Sequence, residues 1–311
     1  MIKNITDFQN VFFIGVAGVG MSAIAQYLKG IGKEVSGSDR YFHSGEYNKT
    51  KEQLESENIH CFLQDGSGIT EKTDLIVVST AIEDTVYEVQ KANELGIPII
   101  KRSELLAIIA QSKKTIAVAG TSGKSTTSAM LYQILLDADF APSIISGAGL
   151  TSIIKEGKIG NAAVGKGEWL IIEADESDGS IVQYKPEIGL LLNIDKDHQE
   201  IDELIDLFTV FKNNTNSLFV VNQSNTLARS LSVNFENDFG FEDRNAGYSA
   251  ENFQQVELTL TFTVRDQKFQ MNSLGQHSVE NATAAIAIAN QIGIDMQTCA
   301  ASLAKYEGIY R

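Results

Sequence analysis

The chain has 311 residues, 43% of them hydrophobic and 21% charged, with only three prolines, so it can bury a sizeable core and its length suggests about two domains. Its net charge of −15 argues against nucleic acid or an anionic membrane as the main partner, because both need a basic surface. The two cysteines, Cys61 and Cys299, form neither a metal spacing nor a disulfide framework, which fits a reducing cytoplasm, and no signal peptide or run of ~18 apolar residues is present.

The first third alternates strands and helices. Val11 to Ile14 is a short apolar run ending in glycine, read as a buried strand; Met21, Ile24, Leu28 and Ile31 then recur at helical spacing. Glu34 to Ser36 leads into Gly37-Ser38-Asp39 as a second strand would. Leu75 to Ser79 and Ile97 to Ile100 are two more strand candidates. Short apolar strands separated by helices imply a parallel sheet with right-handed crossovers. A polar break at Gln111 to Lys114 is the expected domain boundary.

A second α/β unit starts at Lys113. Thr115 to Ala119 reads as a strand, followed by a glycine-rich turn and a helix beginning near Lys124. Trp169 to Glu173, Ile188 to Asn193 and Ser217 to Val221 are further buried-strand candidates. Val256 to Val264 alternates polar and apolar residues and is expected to pair with Lys268 to Met271 as an antiparallel hairpin. Asn281 to Ile292 is an alanine-rich helix.

The strongest chemical signal is Gly120-Thr121-Ser122-Gly123-Lys124-Ser125-Thr126. It follows a strand and opens a helix, the context a phosphate-binding P-loop needs, although its spacing G-x-x-G-K-S is tighter than G-x-x-x-x-G-K-[ST]. The glycines let backbone N–H groups turn towards phosphate oxygens, Lys124 would reach the β- and γ-phosphates, and Ser125 would ligate Mg²⁺. Glu173-Ala-Asp-Glu-Ser-Asp-Gly-Ser180 and Asn193-Ile-Asp-Lys-Asp-His-Gln-Glu200 also lie just past predicted strands. Carboxylates at a strand end can hold a hard cation that bridges to phosphate. A phosphate loop, a carboxylate cluster and His198 would then converge on one edge of one sheet. In the first domain, Gly15-Val-Ala-Gly18-Val-Gly20 reads G-x-x-G-x-G and not the dinucleotide fingerprint, while Asp39 stands at about the distance of a ribose-binding acid. Alone, that turn fits NAD or another diphosphate held on a helix N-terminus.

At this point the residues resemble a known family. GVAGVGMSAIA, SGSD, VVSTAI and KRSELL are similar to the UDP-binding domain of Mur ligases; AGTSGKSTT, EADESD, NIDKDH and GQHSVENATAA are similar to their central ATPase domain, in the same order along the whole chain. G-x-x-G-x-G-M together with EADESD is most like the members that join L-alanine to UDP-N-acetylmuramate, and the members that recycle murein tripeptide share these motifs. The resemblance implies an α/β protein with a Rossmann-like UDP-sugar-binding domain at 1–112 and a P-loop ATPase-type domain with an antiparallel hairpin at 113–311. It implies that Gly15, Gly18 and Gly20 approach the UDP diphosphate, that Ser38 and Asp39 hold the uridine, and that Ser79, Thr80 and Ala81 line the same cleft.

On the ATP side it implies that Gly120 to Thr126 cradle the phosphates, that His277 and Asn281 lie beside the adenine, and that Arg311 begins an arginine pair contacting ATP. Lys124, Glu173 and His198 are the expected catalytic set, with Ser125, Glu173 and His198 holding Mg²⁺. The implied reaction is ATP-dependent amide formation through an acyl phosphate, in the cytoplasm and in peptidoglycan precursor synthesis. Its partners would be UDP-N-acetylmuramate and an amino-acid or peptide acceptor, with no nucleic acid and no membrane. A tripeptide-recycling ligase, or a Mur-like nucleotide-binding protein without ligase activity, are the alternatives. Ser122 stands where the alanine-adding members usually have His, and Ser278 replaces the first Asn of H-N-x-x-N. The family's third domain would follow the segment that here reads Gly308-Ile-Tyr-Arg311, so this chain alone is expected to be inactive in ligation.

Overall fold

The computed structural model describes residues 2–80, 82–177, 179–196 and 200–310. Contacts divide the chain into two compact units, Met1–Ser112 with Ile145–Val164, and Lys113–Ile144 with Gly165–Arg311. Ile145–Val164 thus groups with the first unit, whereas the sequence reading assigned all of 113–311 to one domain. The physical reason is a set of buried hydrogen bonds and close contacts made along one helix of the first unit, described below.

The first unit contains β1 (Asn10–Ile14), α1 (Val19–Gly30), β2 (Glu34–Ser38), α2 (Lys49–Ser56), β3 (His60–Phe62), β4 (Leu75–Val78), α3 (Tyr87–Glu94), β5 (Ile99–Lys101) and α4 (Arg102–Gln111). All five strands pair in parallel in the order β3-β2-β1-β4-β5, the Rossmann arrangement, with β1 at the centre. Phe12, Ile14, Ile69, Ile76 and Val89 form one apolar cluster against which Phe62 and Ile99 pack. The edge strand β3 was not anticipated, because three residues beginning with an exposed histidine carry no periodicity to read. β5 starts after Pro98, whose carbonyl accepts from the Ile76 amide while its ring nitrogen has no proton to donate.

The second unit begins with β6 (Lys114–Ala119), α5 (Lys124–Asp137) and β7 (Ser143–Ile145). The segment that groups with the first unit carries β8 (Gly149–Leu150), α6 (Thr151–Ile154) and β9 (Ala162–Ala163). The chain continues through β10 (Trp169–Ala174), β11 (Ile188–Leu191), α7 (Ile201–Asn214) and β12 (Leu218–Val221). β12, β11, β6 and β10 are neighbours in that order and pair in parallel. A second sheet follows, made of β13 (Phe239–Phe241), β14 (Tyr248–Val256), β15 (Thr259–Val264) and β16 (Gln267–Asn272), then helices α8 (Gln276–Gln291) and α9 (Met296–Ala304). The expected strand Val256 to Val264 is in fact the end of β14, a tight turn at Glu257–Leu258 with Glu257 at φ 53°, and β15. Its alternation of polar and apolar residues concealed that reversal. The hairpin with the 268–271 segment is present as β15–β16, with Phe262 stacked on Phe269 at 5.3 Å. α8 packs against α5 and against the second sheet, and its alanines are buried. Small side chains allow that close approach. No helix among the described residues is long and apolar enough to cross a membrane.

Register places the glycine turn of the first unit. Ile14 is opposite Ser38 on one side and Val78 on the other, so Gly15, Asp39 and Ser79 all emerge at one edge of the sheet. Within β2, a Cβ on Gly37 would stand 2.7 Å from the carbonyl oxygen of Phe13 and 2.7 Å from Cβ of Val16. Backbone cannot yield there cheaply. Gly37→Ala should therefore destabilise the first unit by about 2 kcal/mol, read as a fall of several degrees in its thermal transition by circular dichroism. An unchanged transition would show that Val16 and β1 have room to move.

Candidate nucleotide sites

In the second unit, three strand ends meet. Ala119 pairs with Ala174 of β10 and with Leu191 of β11, so the residues after each strand share one edge. Gly120 leaves β6 at φ 135° and Gly123 caps α5 at φ 83°, backbone that L side chains adopt only at a cost. A Cβ at Gly123 would also come 2.5 Å from Oδ1 of Asn281. The loop is clamped by Asn193. Its Oδ1 accepts from the Thr121 hydroxyl at 2.9 Å and from the Ser122 amide at 2.9 Å, and its Nδ2 donates to the Ser122 carbonyl at 3.1 Å. Thr121 Oγ1 in turn accepts from the Asp195 amide at 3.1 Å. Asn225 holds the same segment from behind, accepting from the Ile194 amide at 3.3 Å and donating to Asp195 Oδ1 at 3.2 Å.

The charged groups are paired across the loop. Lys124 Nζ donates to the Gly120 carbonyl at 2.6 Å and to Glu176 Oε2 at 2.8 Å. The pair is largely withdrawn from solvent, with side-chain exposures of 17% and 6%. Ser125 Oγ donates to Glu173 Oε2 at 2.8 Å. A hydroxyl and a carboxylate at that distance are the hard oxygen donors a Mg²⁺ ion takes. Among the described residues no group of three or more His, Cys, Asp or Glu side chains is arranged to hold a metal. His198 and Arg311 lie outside the described residues. Beside the loop, Ser122, Gly123, Thr126, Leu192, Asn222 and Phe239 line a cavity of about 450 Å³ that His277 and Asn281 of α8 also face. The site thus gathers Gly120 to Thr126, Glu173, His277 and Asn281. Ser122 serves the clamp through its backbone, so its side-chain identity is immaterial to that contact. Ser278 is bonded locally, accepting from Ser273 Oγ and donating to the Leu274 carbonyl, both at 2.8 Å.

In the first unit, the Gly15 and Val16 amides both donate to the Ser38 carbonyl, at 2.8 and 3.0 Å. Gly15 has φ 86°, and Ile82 Cδ1 would lie 3.8 Å from a Cβ there. Gly18 caps α1. Asp39 is buried and its carboxylate accepts from the Ala17 amide at 2.9 Å and the Tyr41 amide at 3.1 Å, so it holds the turn in shape. Ser38 Oγ is fully buried and has no hydrogen-bond partner among the described residues. Arg102, the first residue of α4, lies against Gly20: a Cβ there would be 3.1 Å from Arg102 Cδ and 3.2 Å from Nη1. Ser79 and Thr80 follow β4 at the same sheet edge, and Ala81 lies outside the described residues.

Sequence reasoning missed four of these residues. Glu176 was inside the quoted EADESD motif, but only Glu173 received a role. Asn193 was inside NIDKDH, where the aspartates and His198 drew attention. Arg102 was inside KRSELL, 82 positions after Gly20. Asn225 had no signal.

A Rossmann unit and a P-loop ATPase-type unit, each with a glycine turn at the carboxyl end of an interior strand, define the class of protein. Residues 10–114 match the model "Mur ligase family, catalytic domain" and residues 118–289 match "Mur ligase middle domain". The chain belongs to the Mur ligase family. It is 33% identical to the UDP-N-acetylmuramate–L-alanine ligase of Syntrophomonas wolfei subsp. wolfei, over 97% of this chain and 66% of that protein. It is 35% identical to the enzyme of the same name from Bdellovibrio bacteriovorus, over 96% of this chain and 67% of that protein. The chain thus spans about two thirds of the length of these relatives. The crystal structure of the Thermotoga maritima UDP-N-acetylmuramate–alanine ligase shares the fold at TM-score 0.84 and 24% identity, over 97% of this chain and 69% of that one. So does the UDP-N-acetylmuramate:L-alanyl-γ-D-glutamyl-meso-diaminopimelate ligase from Neisseria meningitides, at TM-score 0.80 and 23% identity, over 98% of this chain and 100% of that one.

The geometry of the loop makes a quantitative expectation. Lys124→Ala removes the loop's ammonium and should weaken ADP or ATP binding about 100-fold, whereas Asn193→Ala, which frees Thr121 and Ser122, should weaken it about tenfold. Titration calorimetry distinguishes these. Equal affinity in wild type and Lys124→Ala would remove the lysine from the site.

Proposed function

We propose that this chain carries the UDP-sugar and ATP sites of an ATP-dependent amide ligase that joins the carboxylate of UDP-N-acetylmuramate to the amine of L-alanine in peptidoglycan precursor synthesis. The observation that supports it most is the P-loop, with Lys124 and Ser125 hydrogen-bonded to Glu176 and Glu173. It sits in a chain matching alanine-adding ligases at 33–35% identity almost end to end. In the first unit, Gly15, Gly18 and Gly20 would let the diphosphate approach the N-terminus of α1, with Arg102 supplying positive charge beside Gly20. Ser38, Asp39 and the residues from Ser79 would face the uridine and sugar. In the second unit, the amides of Gly120 to Thr126 and the ammonium of Lys124 would hold the phosphates, with His277 and Asn281 beside the adenine.

The chemistry needs no protein nucleophile. A muramoyl carboxylate oxygen attacks the γ-phosphorus, the bond from that phosphorus to the β-bridging oxygen breaks, and ADP leaves with the electron pair. The amine of alanine then attacks the acyl carbon, the C–O bond to phosphate breaks, inorganic phosphate leaves, and the nitrogen loses a proton. Lys124 and the loop amides would neutralise charge gathering on the transferred phosphoryl group. Mg²⁺ held by Ser125, Glu173 and His198 would act as Lewis acid and template. Glu176 would keep the Lys124 ammonium over the loop. The reaction would run in the cytoplasm, where ATP is supplied; Cys61 and Cys299 are both free. Both thiols are pushed up to about 12 by burial, so they stay protonated and inert.

The test is an ADP-release assay on the complete gene product with UDP-N-acetylmuramate, Mg²⁺ and, in turn, L-Ala, L-Ser, Gly or murein tripeptide. We expect the fastest turnover with L-Ala, and Lys124→Ala to lower kcat/KM on the order of 10²–10³-fold. A preference for tripeptide would make it a recycling ligase, and ADP release that ignores every acceptor would make it a nucleotide-binding protein without ligase activity.

A further inference from the structure

The segment Ile145–Val164 leaves the second unit after β7 and rejoins it before β10, yet it lies along α1 of the first unit. Asn161 is its anchor. This side chain is 1% exposed. Its Nδ2 donates to the Val19 carbonyl at 2.8 Å and to Ser22 Oγ at 3.0 Å, and its Oδ1 accepts from Gln26 Nε2 at 2.7 Å. Gln26 Nε2 also donates to the Ser22 carbonyl at 2.9 Å. At the far end of α1, the absent Cβ of Gly30 makes room for Val164, whose Cγ2 would otherwise stand 2.5 Å from it. Gln53 of α2 donates to the Gly157 carbonyl at 3.0 Å. The strap is therefore fixed at both ends of α1 and against α2.

Val19 and Ser22 belong to the first turn of α1, directly after the Gly18 cap. The Ser22 amide donates to the Gly18 carbonyl at 2.8 Å and the Ser22 hydroxyl to Val19 at 3.0 Å. Asn161 thus grips the one turn of the helix whose amides open onto the glycine-rich loop. Stability alone is a weak reason for this cluster. Three polar side chains are buried there, and Gln26 Oε1 has no hydrogen-bond partner among the described residues. An unsatisfied buried acceptor loses its hydration without a replacement bond, and apolar residues of the same shape would avoid that loss. What an amide gives and a leucine cannot is a single fixed geometry, donating and accepting at once. An anion site built from helix-terminal amides needs that fixity, since its hydrogen bonds weaken steeply with misalignment.

We propose that Asn161 is a positioning residue for the diphosphate of the UDP-sugar, holding the first turn of α1 in its binding geometry from a segment that lies some 140 residues further along the chain. This rests on the UDP-sugar reading of the first unit. The test uses the complete gene product and measures, by calorimetry, the Kd of UDP-N-acetylmuramate and of Mg-ADP together with the thermal transition. Asn161→Ala should weaken UDP-N-acetylmuramate about tenfold, leave Mg-ADP unchanged, and do so at temperatures where the protein is fully folded. Asn161→Asp, isosteric but without the donor, should fail to rescue. If Asn161→Ala does not fold, Gln26→Met removes the partner of Asn161 Oδ1, together with the Gln26 bond to the Ser22 carbonyl, and should weaken the UDP-sugar about threefold with no effect on Mg-ADP. A lowered thermal transition with unchanged UDP-N-acetylmuramate affinity would overturn the proposal and make the cluster structural. Wild-type protein that binds Mg-ADP but no UDP-N-acetylmuramate would overturn the reading of the first unit, and this proposal with it.

Discussion

Both sites depend on a backbone that turns sharply at the end of an interior strand with no side chain in the way. Gly15 and Gly120 leave β1 and β6 at φ 86° and 135°. At Gly120 a Cβ would sit 3.1 Å from the Asn193 amide, and at Gly123 it would meet Asn281. The turns are closed by partners that approach because nothing is there: the Ser38 carbonyl and Asp39 in the first unit, Asn193 and α8 in the second. The parallel register then brings the neighbouring strand ends to the same edge. That is why an acidic carboxylate cluster, an asparagine clamp and a lysine occupy one small region.

An acidic chain that is to take anions, as proposed, must hold cations where they are needed. Lys124 is held by a carbonyl of its own loop and by the carboxylate of Glu176. Glu176 is buried and meets that ammonium at 2.8 Å. A phosphate that takes Lys124 must displace or share with Glu176, and the gain in affinity from the lysine is reduced by that exchange. The cost is repaid in geometry, because the ammonium does not have to be ordered on binding. Arg102 stands in a similar relation to the glycine turn of the first unit, carried there by the start of a helix and not by the loop itself.

Much of this was legible in the sequence. The P-loop and the strand ends followed from short apolar runs ending at glycine or acid, and the structure places Gly120, Asp175 and Leu192, the residues that follow β6, β10 and β11, on one edge, while Asp178, Asp197 and His198 of EADESD and NIDKDH lie outside the described residues. The antiparallel hairpin was legible too, although its first strand was drawn through the Glu257 turn, because a positive φ leaves no mark on a polar-apolar alternation. Glu176 and Asn193 sat inside recognised motifs, but their roles depend on side-chain directions that spacing does not supply. Hardest to read was the strap. Asn161 meets α1 through contacts 135 to 142 positions apart, and nothing local in Ile145–Val164 points to that helix. Long-range packing of this kind is a property of the folded chain.

If the muramoyl carboxylate itself attacks ATP, as proposed, its oxygen must pass to phosphate, and isotope transfer reads that out. UDP-N-acetylmuramate labelled with ¹⁸O in both carboxylate oxygens is turned over with ATP, Mg²⁺ and L-alanine by the complete gene product, and the released phosphate is analysed by mass spectrometry. Passage through an acyl phosphate predicts one ¹⁸O in each inorganic phosphate, one retained in the amide, and none in ADP. Label appearing in AMP, or phosphate released without label, would rule out an acyl phosphate formed by attack of the carboxylate on the γ-phosphorus.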